Sequence, residues 1–331
     1  MQQTWATAVQ GPVDAEWAAA VQGPVDVHQH LWPPGFVDEL RRRTSPPRMR
    51  GWTLHLPGEP PYEVCAGDHD VAARAVRERA DAALVLVSLS SPLGLEDLPG
   101  DDGAELLRVW HKEAADLPAP FASWAAASRV EPDPVELGRA LDQGFRGLQV
   151  PATWLATPQD LESVAELLAV AESHGRPVLV HPGAASAVPA IPAAPGSAAS
   201  LPGWWPALVP YVAQMHAAWW TWHVAGRSLL PDLRICFAAG AGLAPIQHER
   251  LAARGGRLTG AGRALDPNVF VDTSSYGPQA VDALVRVLGI DALVLGSDRP
   301  YADPMAFGLG AAAHRAITRT NPIRLLEGGR P

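Results

Sequence analysis

A chain of 331 residues, 47% hydrophobic and 18% charged, has the composition of a soluble globular protein and room for two domains or one large α/β barrel. Its net charge of -9 argues against nucleic acid or an anionic membrane as partner and leaves a small molecule as the expected one. No basic segment leading into an apolar one opens the chain, no apolar run approaches membrane-spanning length, and Cys65 and Cys236 sit in unlike surroundings, so the expectation is a cytoplasmic protein without a structural disulfide.

The first 24 residues hold a near-repeat. Trp5–Asp14 returns as Trp17–Asp26, and only the second copy runs on into the first strand. Residues 1–24 therefore read as a duplicated leader without chemistry of its own, ahead of a single domain from 25 to 331. That strand, Val25-Asp26-Val27-His28-Gln29-His30, ends in two histidines at alternate positions, which leave a strand on the same face.

A polar, Pro- and Arg-rich insertion follows over 33–70, in which Met49–Leu56 is expected to pair with Tyr62–Val64 across a Pro/Gly turn. From residue 71 a rhythm sets in. Helices are expected near 69–79, 102–116, 133–144, 158–174, 204–226, 244–255 and 277–288. Each precedes an apolar strand: 82–89, 121–126, 147–150, 177–181, 234–239, 269–273 and 292–298. Counting the first strand, eight short apolar strands alternate with helices, the pattern of a (β/α)8 TIM barrel. A doubly wound open sheet is the runner-up, but no Gly-rich phosphate loop follows any strand.

Active sites of such barrels collect where the strands end. Strand one ends in His28 and His30, strand five in His181 and strand eight in Asp298. Three imidazoles and a carboxylate at one mouth suit a zinc-like divalent ion with one position open. Taken singly, His181 is an ordinary strand end and Asp298 an ordinary partner for Arg299. All four falling at strand ends by accident is far less natural.

These segments resemble the amidohydrolase superfamily, in the branch that includes aminocarboxymuconate-semialdehyde decarboxylase. Val25–His30 is similar to its opening strand, Pro177-Val178-Leu179-Val180-His181-Pro182-Gly183 to its fifth, Leu295-Gly296-Ser297-Asp298-Arg299-Pro300 to its eighth, and Asn321–Leu326 to its closing helix. The resemblance covers about residues 25–328. It implies that His28, His30, His181 and Asp298 bind one divalent metal, usually zinc, with manganese the alternative.

Binuclear members bridge their metals with a carboxylated lysine at the end of strand four. Here that strand ends in Gln149-Val150-Pro151 and the chain's single lysine, Lys112, lies in a helical pattern, so one metal is expected. The branch also carries a strand-six histidine as proton donor or water-orienting group, where this chain has Ala239 or a neighbour. Asp298 is then left as both ligand and base, with His55, His216, His223 and His248 as substitutes from loops. After strand five, the Ala/Pro-rich stretch from Ala184 to Gly203 reads as a lid. Trp204 and Trp205 stand close enough to wall a pocket, whereas Leu208, Val212, Met215, Trp219 and Trp222 fall at helical spacing as core or subunit interface, a homodimer being one arrangement. Trp32, Trp154 and Tyr276 follow strand ends as stacking candidates, and Arg299 is a candidate for a substrate carboxylate, with Asp303 or Asp272 as its alternative partner.

The leading expectation is a mononuclear metal-dependent hydrolase in which water attacks an amide, ester or lactone carbonyl. The alternatives are non-oxidative decarboxylation of an unsaturated or aromatic acid, and a ligand-binding barrel that has lost turnover.

Overall fold

The computed structural model describes residues 21–57, 59–185, 202–256 and 266–328 and shows an α/β arrangement of parallel strands joined by helices. The strands are β1 (Val25–His30), β5 (Leu84–Ser88), β6 (Phe121–Ser123), β7 (Leu148–Pro151), β8 (Val178–His181), β9 (Ile235–Phe237), β10 (Val269–Asp272) and β11 (Leu293–Val294). The helices include α1 (Pro34–Arg42), α2 (Val71–Asp81), α3 (Asp101–Ala115), α4 (Pro134–Asp142), α5 (Pro158–Ser173), α6 (Pro210–Thr221), α7 (His248–Ala253), α8 (Pro278–Leu288) and α9 (Asn321–Glu327).

The parallel strands form two sheets, in the orders β1-β5-β6 and β11-β10-β9-β8-β7. Backbone bonds run across both gaps between them. On one side Ala125 N donates to Gly147 O and Gln149 N to Ala125 O, each at 2.8 Å. On the other, Val27 N donates to Leu295 O at 2.9 Å, Asp298 N to His28 O at 2.9 Å and His30 N to Arg299 O at 2.7 Å. β1, β5, β7 and β8 are buried along their lengths, as apolar runs covered on both faces by helices must be.

After β1, α1 leads into a small antiparallel sheet of β2 (Arg48–Arg50), β3 (Thr53–His55) and β4 (Tyr62–Glu63). The expected pairing of β3 with β4 is present, with Leu54 opposite Tyr62. The arm over Met49–Leu56 is not one strand but two, because the chain turns at Gly51, whose φ of +63° suits glycine. Trp32, His69 and Trp52 stack face to face, with centroids 4.5 and 6.2 Å apart, and dock this sheet on β1.

Most helices begin where the sequence signals them. Asp70 caps α2 by accepting from Ala73 N, and Thr157 caps α5 by accepting from Asp160 N with Pro158 as first residue. The long helix expected over 204–226 is broken. A short turn, Trp205–Leu208, stops at Val209, and α6 starts at Pro210. The proline ring pushes the residue before it out of helical geometry, and Val209 has φ -116° and ψ -74°. The helix expected over 244–255 shrinks to α7, since Ala239 through Leu243 all take left-handed angles, with φ between 47° and 61°. Gly242 there lies where a Cβ would stand 3.0 Å from Val212 O, so the turn packs directly on α6.

Except for residues 21–24, the duplicated leader lies outside the described residues, as does 186–201 of the stretch read as a lid. Both cysteines are free thiols, and among the described residues no helix is long and apolar enough to cross a membrane.

Candidate active site

The strand ends bring His28, His30, His181 and Asp298 together, with one ligand atom of each within 4.8 Å of the others. His28 and His30 meet because alternate residues of β1 share a face; His181 is the last residue of β8. Asp298 reaches the group from beyond β11 through a backbone φ of +63°, a conformation aspartate tolerates better than most residues. His28 Nε2 lies 3.1 Å from His30 Nε2, and Asp298 Oδ1 lies 3.2 Å from the latter.

Every one of the three imidazoles has an oxygen acceptor at its other nitrogen. His28 Nδ1 faces Asp272 Oδ2 at 2.7 Å, His30 Nδ1 faces Ser88 O at 3.2 Å and Ser90 Oγ at 3.1 Å, and His181 Nδ1 faces Pro182 O at 2.9 Å. Those acceptors suit a proton at each Nδ1, so that a metal ion taking the place of the second proton on His28 meets three Nε2 lone pairs beside an anionic oxygen. Buried lone pairs that face one another repel, and a cation is what reconciles them. The donor set therefore fits one divalent ion.

The electrostatics reflect this crowding. Burial disfavours the His28 imidazolium, but the hydrogen bond and charge of Asp272 outweigh it and raise the pKa to about 9. Burial pushes His30 and His181 down, His28 adding to the effect on both. Burial also works against ionised Asp298, yet the His30 hydrogen bond and the three imidazoles hold it down at about 2. Gln149, at the end of β7, donates to Leu89 O and Ser91 Oγ, and Lys112 sits on α3, so neither supplies a second-metal bridge.

A cavity of about 350 Å³ opens on this cluster. Its walls are mostly carbon, with Leu54, Pro61, Leu93, Leu208, Val212 and Met215 among them. Trp32 and Tyr276 line it as the sequence suggested, Trp32 donating to Ser90 Oγ at 3.1 Å.

Two expected substrate contacts are elsewhere. Trp154 is fully buried outside the lining, donating from Nε1 to Asp97 at 3.0 Å. Arg299 is spent on Glu78 and Asp81, each at 2.8 Å, and on Asp303 at 3.1 Å, while Asp272 belongs to His28. Trp204 and Trp205 are absent from the lining; Pro206, Ala207 and Leu208 take that place.

Ala238 and Ala239 line the cavity at the end of strand six, where the sequence led to the expectation of no histidine. None of the loop histidines lines the cavity. His55 sits in β3, His216 bonds Gly242 O, and His223 and His248 pack with Trp219.

Sequence reasoning gave Asp272 only as a partner for Arg299 and missed its bond to His28, whose signal was a carboxylate at the end of strand seven. It also missed Ser275, which donates to Asp298 Oδ2 at 3.2 Å, Tyr301, whose ring lies 5.3 Å from that of His30, and the Glu59–Tyr211 pair.

A family model described as Amidohydrolase matches residues 25–327. No curated protein matches the chain. Among solved structures, the chain is similar to apo IDCase of Metarhizium anisopliae, with TM-score 0.71, 18% identity and coverage of 93% of this chain and 98% of that one. It is also similar to 2,6-dihydroxybenzoate decarboxylase from Rhizobium, with TM-score 0.63, 18% identity and coverage of 92% and 98%. A third is 5-carboxyvanillate decarboxylase from Novosphingobium aromaticivorans complexed with manganese, with TM-score 0.62, 16% identity and coverage of 92% and 96%.

Proposed function

This chain belongs to the amidohydrolase family, and on that premise we propose that it is a metal-dependent non-oxidative decarboxylase of an aromatic or unsaturated carboxylic acid. The observation that carries the proposal is a largely apolar cavity, walled by Trp32, Tyr62, Tyr276 and Tyr301, that opens directly on the His28-His30-His181-Asp298 cluster. Planar acids fit such walls by stacking and burial. The decarboxylases of similar fold favour this over hydrolysis, the expectation from sequence.

A bound divalent ion would supply Lewis-acid polarisation and an anchor for the carboxylate. Zinc suits three imidazoles and a carboxylate best, and manganese is the second choice. The chain's own residues do the rest. Asp272 fixes the His28 tautomer, and the apolar walls exclude water from the carboxylate. In the reaction the bond from carbon to the carboxylate breaks, carbon dioxide leaves, and a proton takes its place on the carbon. With no strand-six histidine present, Asp298, ionised at rest, is the group placed to relay that proton from solvent to the carbon, at the Oδ2 bonded by Ser275.

The same assignment reads the two parallel sheets as one closed (β/α)8 barrel, supported by the backbone bonds across both gaps. Hydrolysis of an amide, ester or lactone is the second reading, favoured by the donor set itself, with Asp298 taking the proton of the attacking water. The test is trapped carbon dioxide from metal-reconstituted protein incubated with hydroxybenzoic acids, beside release of acid from esters and lactones. Carbon dioxide from the first set supports the decarboxylase, whereas turnover of the second set alone overturns it in favour of the hydrolase.

A further inference from the structure

The cavity holds a second carboxylate that the cluster does not use. Glu59 lies between β3 and β4, lines the cavity, and accepts hydrogen bonds from the Tyr211 phenol at 3.0 Å and from the Ala185 backbone N–H. Tyr211 belongs to α6 and lines the cavity, and Ala185 follows β8, so these bonds tie Glu59 to two separate parts of the chain.

Among the described residues that line the cavity there is no lysine or arginine, and the histidines are the three of the cluster. Arg299 is neutralised by Glu78, Asp81 and Asp303 outside the lining.

Charge balance then sets a limit. A divalent ion would be neutralised by Asp298 together with one substrate carboxylate, and Asp272 behind His28 adds a further negative charge, so no positive charge is left over to compensate Glu59. Burial already pushes the Glu59 carboxyl above its ordinary range, the Tyr211 and Ala185 bonds only partly restoring it. Another anion in this apolar space would face like charge with no partner.

We propose that Glu59, held in place by Tyr211, restricts the site to acids carrying a single anionic group, an inference that rests on the aromatic-acid reading above. Glu59 is thus a specificity residue acting by exclusion.

The experiment is calorimetric titration of the metal-loaded full chain with benzoate and with isophthalate, for the parent and for Glu59→Gln. The parent is expected to bind benzoate and to bind isophthalate at least ~10-fold more weakly. Glu59→Gln is expected to narrow that gap by raising isophthalate affinity. Isophthalate binding as tight as benzoate in the parent, or an unchanged gap in Glu59→Gln, would overturn the proposal; the parent comparison stands by itself if the variant folds poorly. Binding of neither acid would instead overturn the aromatic-acid reading beneath it.

Discussion

Replacing Asp272 by asparagine tests whether the metal centre is built from the second nitrogen of each histidine. Asp272 is fully buried, and its two oxygens have separate duties. Oδ2 faces His28 Nδ1 at 2.7 Å, and Oδ1 accepts from Ser274 N at 3.1 Å and Ser274 Oγ at 2.6 Å. Asparagine preserves the shape but has one acceptor where the site needs two. If its oxygen stays with Ser274, its NH2 faces His28, the imidazole proton moves to Nε2, and the lone pair that should meet the metal is lost. If its oxygen turns to His28, its NH2 meets the backbone N–H of Ser274, donor against donor. Either arrangement weakens the ion by ~10–100-fold, the range typical of such supporting contacts. That is ~1.4–2.8 kcal/mol. Competition with a chromophoric chelator measures the change, with a thermal melt to verify folding. A folded Asp272→Asn variant whose metal affinity stays within ~2-fold of the parent would refute the tautomer argument.

Three further outcomes follow from the same geometry. Gly296→Ala places a Cβ 2.6 Å from Asp272 Oδ2, so it is expected to displace that carboxylate, lower metal affinity and cost ~1–3 kcal/mol of stability in a chemical denaturation. Asp298→Asn keeps an oxygen for the ion but not the proton carrier, and should reduce carbon dioxide release per bound metal by ~10²–10⁴-fold. Burial raises Glu96 to about 7, against the hydrogen bond from Ser91. The folded chain then holds this proton more tightly than the unfolded one, so stability falls as pH rises from the ordinary glutamate range through about 7. Glu96→Gln should remove that part of the fall, as read by melting temperature on either side of the window.

The strands were legible because apolar runs between helix caps carry their own signal, and β1 even showed which face its histidines share. Strand eight was longer in the sequence reading than in the structure: β11 itself is Leu293–Val294, and Leu295–Arg299 stays tied to β1 by single backbone bonds while Gly296 passes close to Asp272. Proline gave a warning at Val209 that the surrounding helical pattern concealed. The stripe from Leu208 to Trp222 divides, with Leu208, Val212 and Met215 at the cavity while Trp219 and Trp222 enter the core. Periodicity marks a face without saying what the face meets.

The rest of the site depends on contacts between distant parts of the chain. Glu59 and Tyr211 are separated by 152 residues, and Asp272 lies 244 from His28. Arg299 looked free beside Asp298 because its partners Glu78 and Asp81 come from α2, far upstream. Trp154 follows a strand end, but the turn after β7 carries its ring into the core. Position at a strand end brought together His28, His30 and His181, which the strands themselves aim, and failed for side chains that loops redirect.

The central claim is that three imidazoles and one carboxylate form a single metal centre. Elemental analysis of the metal-reconstituted parent and of His181→Ala tests it most directly. About one divalent ion per chain is expected in the parent, with its loss in the variant. A parent that takes up no ion, or a His181→Ala variant that keeps it, would contradict the account.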